Sequence, residues 1–420
     1  MFRSNGYLFS AWHILPGFLM LALLVAAAPP TAGAERPKIR TITAFIRLDA
    51  TQYRQQVAET LTMLRAAKVE FEKFGYEVQT IRIATQPFGE YTRGMSSPDA
   101  LAFFHDLDSL AKQENVLVSI GPAMISEKDD SQEAQLLTQI LASSSNLNGS
   151  IVVADEKGVQ WPAVRAAAGV MKYLENHTDH SLGNFRFAAI ANVAPYTPFF
   201  PAAYHQGLGN QFAVALQSAN VVAAIMAVGG DPETIKQALI AELGMHAQTI
   251  EDAANKIDTE TGWTYMGLDL SPAPLKEVSI GSATAGYSGG RFGTSGTLTA
   301  AATITSALRD ITVKKTGFSG LMMPVLEDTR LAQLWSEGAL SMDQLLAYSA
   351  VCGTGLDTIP LPGDVTEQQL ARIIGDVASL SAKLSKPLTA RLLPVANAKP
   401  GDHTTFDDPN LVNTVLQPLP

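Results

Sequence analysis

The sequence has a single cysteine, Cys352, among its 420 residues, so no disulfide can form within one chain. A lone thiol is either packed in the interior or available for chemistry. Basic residues are also scarce, since 30 Lys and Arg stand against 40 Asp and Glu, for a formal net charge of −10. No segment clusters Lys or Arg. This balance argues against nucleic acids and anionic membrane surfaces as partners.

Long hydrophobic runs are missing beyond the N-terminus. The first 34 residues have the layout of a secretory signal peptide: Arg3, an apolar stretch over 14–28 and a small-residue cleavage site, Ala32-Gly33-Ala34. The apolar stretch is short for a membrane span. We therefore predict cleavage after Ala34 and a secreted or periplasmic mature protein that makes no membrane contact. An uncleaved N-terminal anchor is the alternative.

Strand and helix patterns alternate throughout residues 35–420, and no stretch is typical of a linker. The chain opens with a β-α-β pattern whose strands fall near 39–47 and 76–83. Further on, the pattern predicts two long helices over 209–227 and 232–258, and a strand over 318–325. Such alternation predicts one α/β domain, built on a sheet or a barrel.

The segment 349–364 is the most distinctive loop candidate. It contains Cys352, two glycines at 353 and 355, and prolines at 360 and 362. Glycine permits positive φ, whereas proline fixes φ and removes a donor, so we predict neither helix nor strand through its length. A thiol and carboxylates on such a loop indicate a site. The alternative is a glycine helix cap followed by a stiff connector with a buried cysteine.

Four apolar strands are each followed by a compact polar or proline-rich turn. Ligands of α/β folds bind where the carboxyl ends of strands meet loops, so we predict that the four turns converge on one pocket for a small molecule. The candidate catalytic residues are Cys352, His205 and Asp269, and the candidate ligand-binding residues are Tyr204, Ser271, Glu327, Asp328, Gly353, Gly355 and Asp357.

Several of these candidates also have a structural explanation. Asp269 interrupts an apolar strand end and needs a partner there, while Glu327 and Asp328 fit a helix N-terminus. His205 with two carboxylates could hold a divalent cation, but no HExxH or other close ligand spacing supports a metal site. A Cys352–His205–acid arrangement for nucleophilic catalysis is a further alternative without a signature. The glycine-rich stretch 283–296 is predicted to be a mobile loop or lid, because it lacks the lysine of a phosphate-binding loop.

Five segments carry a family resemblance: 38–43, 199–205, 267–274, 321–328 and, most specifically, 351–364. On these segments the sequence resembles the family known as domain of unknown function 711 or uncharacterised protein family 0210. The resemblance implies a barrel-like α/β fold similar to pyruvate formate-lyase and other glycyl radical enzymes. In those enzymes a cysteine lies on a loop inside the barrel, and Cys352 would take that place. The resemblance implies no particular reaction or cofactor.

Glycyl radical chemistry is not expected here. The radical glycine of those enzymes lies in an Arg-Val-(Ser/Ala)-Gly-Tyr type motif, whereas Gly286-Tyr287 follows Thr284-Ala285, with no Arg-Val. Three functions therefore remain open. The first is an exported enzyme acting on a small polar molecule. The second is a non-catalytic small-molecule binding protein, and the third is a structural or interaction protein with a vestigial cleft. Homo-oligomer formation is compatible with each.

Overall fold

The computed structural model describes residues 36–126, 128–287, 289 and 292–419. The predicted signal peptide and its cleavage site lie outside these residues, and the glycine-rich stretch 283–296 lies only partly inside them. Residues Glu35–Pro420 form one compact unit. Among the helices described, none is long and apolar enough to cross a membrane.

The first half of the chain alternates strands and helices, as the sequence predicts. Its elements are β1 (Lys38–Ile46), α1 (Tyr53–Lys73), β2 (Val78–Thr85), α2 (Phe88–Tyr91), α3 (Ser97–Gln113), β3 (Leu117–Ala123), α4 (Ser131–Ser143), β4 (Leu147–Asp155), β5 (Gly158–Val159), α5 (Trp161–His177), a 3₁₀ segment (Asp179–Arg186) and β6 (Phe187–Ala191).

The second half is richer in helices. Its elements are β7 (Gln211–Gln217), α6 (Ala219–Val228), α7 (Pro232–Thr261), β8 (Thr264–Asp269), α8 (Ile280–Tyr287), α9 (Thr297–Asp310), a 3₁₀ turn (Val325–Glu327), α10 (Thr329–Ser336), α11 (Met342–Tyr348), β9 (Gly355–Pro362), α12 (Glu367–Leu384) and β10 (Leu388–Val395).

Local sequence signals account for the ends of the longest helix, α7. Oδ1 of Asp231 accepts the backbone N–H groups of Glu233 and Thr234, each at 3.0 Å. Pro232 fills the first helical position, where a missing N–H costs nothing. The helix ends at Gly262, whose φ of 73° is the left-handed conformation that glycine favours.

The ten strands form one sheet, with the order β8-β7-β1-β2-β3-β4-β6-β10-β9 and with β5 paired to β4. Strands β1, β2, β3, β4 and β6 run parallel to one another. At one side β7 is antiparallel to β1 and parallel to β8. At the other side β10 is antiparallel to β6 and parallel to β9. The predicted α/β class is confirmed, with a large and mostly parallel sheet.

One segment contacts both outer strands of this order. Leu268 of β8 forms a parallel bridge with Lys315, and Asp357 of β9 forms a parallel bridge with Pro324. The prediction of a regular strand over 318–325 is therefore wrong. The structure instead has isolated bridges at 315 and 324, followed by the 3₁₀ turn.

The two faces of the sheet bury different partners. Side chains such as Ile42, Ile83 and Val118 belong to the main apolar core, which also contains the helix side chains Leu61 and Leu64. The opposite face, which we call the inner face, is covered by chain segments rather than by long helices. Its smaller apolar clusters join strand residues to these segments: Val152, Ala188 and Ile190 with Ala202, Phe318 and Met322, and Phe45, Ala84 and Ala213 with Ala203.

Two predicted elements are wrong, for different reasons. The helix predicted over 209–227 is strand β7 followed by the shorter helix α6, and the loop predicted over 349–364 contains strand β9. All seven residues of β7 are buried, so it lacks the alternation that marks a half-exposed strand, whereas β9 contains the glycine and prolines that favour a loop. The prolines in β9 are tolerated because β9 ends the strand order and has a regular ladder only with β10.

Candidate functional site

A cavity of about 730 Å³ lies against the inner face of the sheet. Four of its strand residues come from the starts of the central parallel strands: Arg40 is third in β1, Leu117 is first in β3, Asn148 is second in β4 and Ala188 is second in β6. Phe199, Phe200 and Met322 are among the apolar side chains that complete the walls, and residues 408–410 of the C-terminal tail also contact the cavity.

Arg391 of β10 is the centre of a buried charge network in this cavity. Its Nε donates to Oδ1 of Asp357 at 2.7 Å, and its Nη2 donates to Oε1 of Glu327. Nη2 of Arg40 lies 3.9 Å from Oε2 of the same glutamate. Burial acts to lower the pKa of Arg391, but Asp357 and Glu327 together raise it above its ordinary value. Burial raises the pKa of Asp357, and the contact with Arg391 opposes that shift.

Arg82 of β2 belongs to the same cluster but makes no ion pair within the described residues. Its side chain is buried, and Nε has no hydrogen-bond partner in this part of the chain. The centre of its guanidinium lies 5.1 Å from the centre of the Phe200 ring. Burial lowers the pKa of Arg82 to about 9, and the positive charges of Arg40 and Arg391 add to that shift while Glu327 opposes it. Arg391 and Arg40 thus lie next to carboxylates, and the charge of Asp408 also acts on Arg40, whereas Arg82 makes no ion pair among the described residues.

Two neutral donors in the cavity wall are also unpaired. Nδ2 of Asn148 and Oγ1 of Thr354 are buried, and neither has a hydrogen-bond partner among the residues that the structure describes. Buried polar atoms in folded proteins nearly always have a partner, either in the protein or in ordered water. Together with Nε of Arg82, these atoms bring unmet hydrogen-bonding capacity to the cavity from three separate chain segments.

Glu327 and Asp357 are the two predicted site residues that line this cavity. The three candidate catalytic residues do not line it. Each of them has an identified environment elsewhere in the structure, and their predicted roles remain predictions.

His205 lies near the other end of the central strands. Its backbone N–H donates to the carbonyl of Thr85, the last residue of β2. Nε2 lies 2.8 Å from Oε1 of Gln211 and 3.2 Å from the carbonyl of Gly209, and burial lowers the pKa of His205. The hydroxyl of Tyr204 donates to the carbonyl of Val193 at 3.0 Å.

Asp269 holds the turn after α9 against strand β8. Oδ2 accepts the N–H of Phe318 at 2.8 Å, and Oδ1 accepts the N–H groups of Ser271 and Ser319 at 3.0 Å each. The Ser271 hydroxyl donates to Oδ1 at 2.6 Å and accepts the N–H of Gly320 at 3.2 Å. Burial raises the pKa of Asp269, and these hydrogen bonds oppose the shift. These contacts supply the partner that a buried strand-end charge requires.

Asp328 is the N-cap residue of α10 and also binds the start of α8. It accepts the N–H groups of Arg330 and Leu331, each at 3.0 Å, and those of Ile280 and Gly281 at 2.7 and 3.1 Å. The capping explanation considered for the acidic pair is thus observed for Asp328, whereas its neighbour Glu327 contacts the arginines.

Cys352 is fully buried in the main apolar core. Nζ of Lys386 donates to its carbonyl and to that of Ser349, the latter at 2.8 Å, and so fixes the loop after α11. Gly353 approaches Gly320 so closely that a Cβ there would lie 2.6 Å from a backbone carbon. Gly355 has a φ of 93°, and a Cβ there would lie 2.5 Å from the Thr389 carbonyl oxygen. Both glycines are required by close backbone packing.

Sequence reasoning missed the arginines and the unpaired donors. Arg40, Arg82 and Arg391 each interrupt an apolar or β-branched run, which is the same signal that drew attention to Asp269. A search for cations as well as anions inside such runs would have identified all three arginines. Within the described ranges, no group of three or more His, Cys, Asp or Glu side chains is arranged to hold a metal ion.

Comparison with known proteins places the chain in a family. The family model described as Uncharacterised ACR (DUF711) matches residues 33–408. The chain belongs to the DUF711 family. Among its relatives, a UPF0210 protein of Pyrobaculum aerophilum is 33% identical over 350 residues, which cover 79% of this chain and 76% of the relative. A UPF0210 protein of Listeria monocytogenes is 28% identical over 403 residues, which cover 89% of each chain.

Proposed function

We propose that this member of the DUF711 family binds a small polar molecule in the cavity on the inner face. The unpaired donors of Arg82, Asn148 and Thr354 carry this proposal, because all three are buried and all three line one cavity. A cavity of about 730 Å³ is in the size range of small-molecule sites, and its mixture of aromatic walls with a few polar groups is typical of them.

An enzymatic role is a second candidate, favoured by the carboxylates. Glu327 and Asp357 both contact Arg391, and burial raises the pKa of Asp357. A carboxyl group whose pKa is raised in a cavity is a candidate for exchanging a proton with a bound molecule. In this proposal Asp357 is the group that exchanges a proton, and Arg391 holds both carboxylates in place.

A finer description of the fold belongs to the same proposal. We propose that the sheet closes into a barrel similar to that of pyruvate formate-lyase, with segment 315–324 as the closing strand. Its parallel bridges to Leu268 and Asp357, at the two outer strands, support this arrangement. The segment would join β7, β8, β9 and β10 in a second group of five parallel strands, opposite the central five. The cavity would then lie in the barrel interior.

We also propose that the protein is exported. The family match begins at residue 33, so nearly all of the segment with signal-peptide character lies outside it. An exported protein is separated from a cytoplasmic activating enzyme for a glycyl radical. The absence of the radical glycine motif from this sequence is consistent with that separation.

The binding proposal can be tested by calorimetry and thermal unfolding of the chain that begins at Glu35, against a panel of small polar molecules. Ala188→Phe would fill part of the cavity, and Ala371→Phe on the outer helix α12 is a size-matched control. We expect at least one compound to stabilise the wild type and the control but not the filled variant. Stabilisation of all three proteins alike would refute the assignment to this cavity. For the enzymatic role, Asp357→Asn should keep binding and lose turnover.

A further inference from the structure

We infer that the molecule bound in this cavity carries an anionic oxygen group, a carboxylate or a phosphate, and that Arg82 is the residue that binds it. The inference rests on the proposed function and specifies the class of ligand. Its first support is the charge balance. Arg391 is neutralised by two carboxylates and Arg40 shares one of them, whereas Arg82 makes no ion pair within the described part of the chain.

The other charged groups around the cavity have partners other than Arg82. Arg186 donates to two backbone carbonyls and a serine hydroxyl. Asp408 accepts hydrogen bonds from Asn410 through Oδ1 and its charge acts on Arg40, and His177 lies 2.9 Å from a backbone carbonyl of its own helix. The exposed Asp179 makes no described ion pair with Arg82. An anionic ligand would supply the missing negative charge directly.

The geometry around Arg82 is suited to an incoming anion. Phe200 contacts the guanidinium at 5.1 Å, so part of the group is held by an aromatic ring while Nε has no partner. Guanidinium groups bind carboxylates and phosphates through paired N–H donors, and such bonds are strong where water is excluded. The side chain is 8% exposed, so the bond would form in a largely water-free environment.

The neutral donors indicate what else the ligand contains. Nδ2 of Asn148 lies on β4, and Oγ1 of Thr354 lies just before β9, on the other side of β6 and β10 in the sheet order. Nδ2 of Asn148 requires an oxygen acceptor, since an amide N–H can only donate, and the Thr354 hydroxyl can donate to an oxygen as well. A molecule with one anionic group and at least one further hydroxyl or carbonyl oxygen meets all three demands.

The test compares anions with a neutral analogue of the same size. Isothermal titration calorimetry on the chain beginning at Glu35 would use succinate, its diamide succinamide, and inorganic phosphate. We expect succinate or phosphate to bind at millimolar concentration or below and succinamide not to bind. The comparison of succinate with phosphate identifies which anionic group the cavity prefers. Arg82→Met should weaken anion binding by about tenfold or more, and Arg82→Lys should weaken it less.

Arg372→Met is the matched control, because Arg372 is exposed on α12 and does not line the cavity. Its anion affinity should equal that of the wild type, and circular dichroism should show that all variants are folded. Unchanged anion affinity in Arg82→Met would overturn the inference. The inference would also be overturned if neither anion binds while neutral polar compounds stabilise the wild type but not Ala188→Phe. In that case the proposed function would stand. If no compound of either class binds, both fail.

Discussion

Arg82→Met is expected to raise the thermal stability of the ligand-free protein. Burial and two neighbouring arginines lower the pKa of Arg82 from 12.5 to about 9. Each pKa unit corresponds to about 1.36 kcal/mol, so the charged side chain costs the folded state on the order of 5 kcal/mol. Because the pKa is lower in the folded than in the unfolded chain, this cost is complete at pH 7 and shrinks as the pH rises above about 9.

Methionine retains much of the volume of the arginine stem and removes the charge. The substitution loses the contact with Phe200, which is worth about 0.5–2 kcal/mol. Apolar replacements of buried charged groups are often neutral or stabilising, by about 1–4 kcal/mol, and we expect a net gain in that range. For a chain of this length, 1 kcal/mol corresponds to about 1–1.5 °C, so the expected increase in Tm is about 1–6 °C.

Differential scanning calorimetry at pH 7 measures this increase, with Arg372→Met as the exposed control that should leave Tm unchanged. Repeating the scans at pH 10 should narrow the difference in Tm between the wild type and Arg82→Met, because Arg82 is then partly deprotonated in the wild type. A lower Tm for Arg82→Met at pH 7 would refute the reasoning. It would mean that Arg82 is already compensated in the ligand-free protein.

Four further outcomes are expected. Glu327→Gln should reduce the free energy of unfolding by about 3–5 kcal/mol, because it removes the buried carboxylate that Arg391 and Arg40 share; an unchanged urea midpoint would contradict this. Burial lowers the pKa of His205, so stability should fall as the pH drops below about 6.5, and His205→Gln should flatten that dependence; identical slopes would count against it. The thiol of Cys352 should react with iodoacetamide only after denaturation, and rapid labelling of the folded protein would show that it is accessible. Mass spectrometry of protein recovered outside the cytoplasm should find Glu35 as the first residue, whereas an intact N-terminus would exclude cleavage after residue 34.

The parts of the fold that the sequence predicted are those with clear periodicity and clear ends. Helix α7 is the best example, because Asp231, Pro232 and Gly262 mark both of its ends. Strand β9 was missed because Gly355, Pro360 and Pro362 favour a loop, and β7 was missed because it is buried on both faces, so its residues show no alternation. An apolar run of this kind fits a helix or a strand equally well, and only its neighbours in the sheet decide between them.

The candidate site was only partly predictable because polar turns at strand ends have two different uses. The turns after β8 and before α10 were selected for their carboxylates, yet Asp269 and Asp328 accept backbone N–H groups of neighbouring chain segments. Buried backbone donors require acceptors, and a carboxylate can accept several at once. The strand-end rule therefore identified residues that hold the loops in place, while the cavity lies toward the starts of the central strands.

The number of hydrogen-bond partners distinguishes a residue that holds a loop in place from a residue that serves a site. That number is a property of the fold. Asp269 and Arg82 are both charges inside apolar strands, and their local sequences do not distinguish them. Asp269 has a partner for each oxygen, so folding alone explains its presence. Arg82 is buried with its Nε unpaired beside two like charges, so folding alone would favour an apolar side chain at position 82. A residue that lowers stability and has no stabilising role in the fold is best explained by function, and for Arg82 that function is to bind an anion.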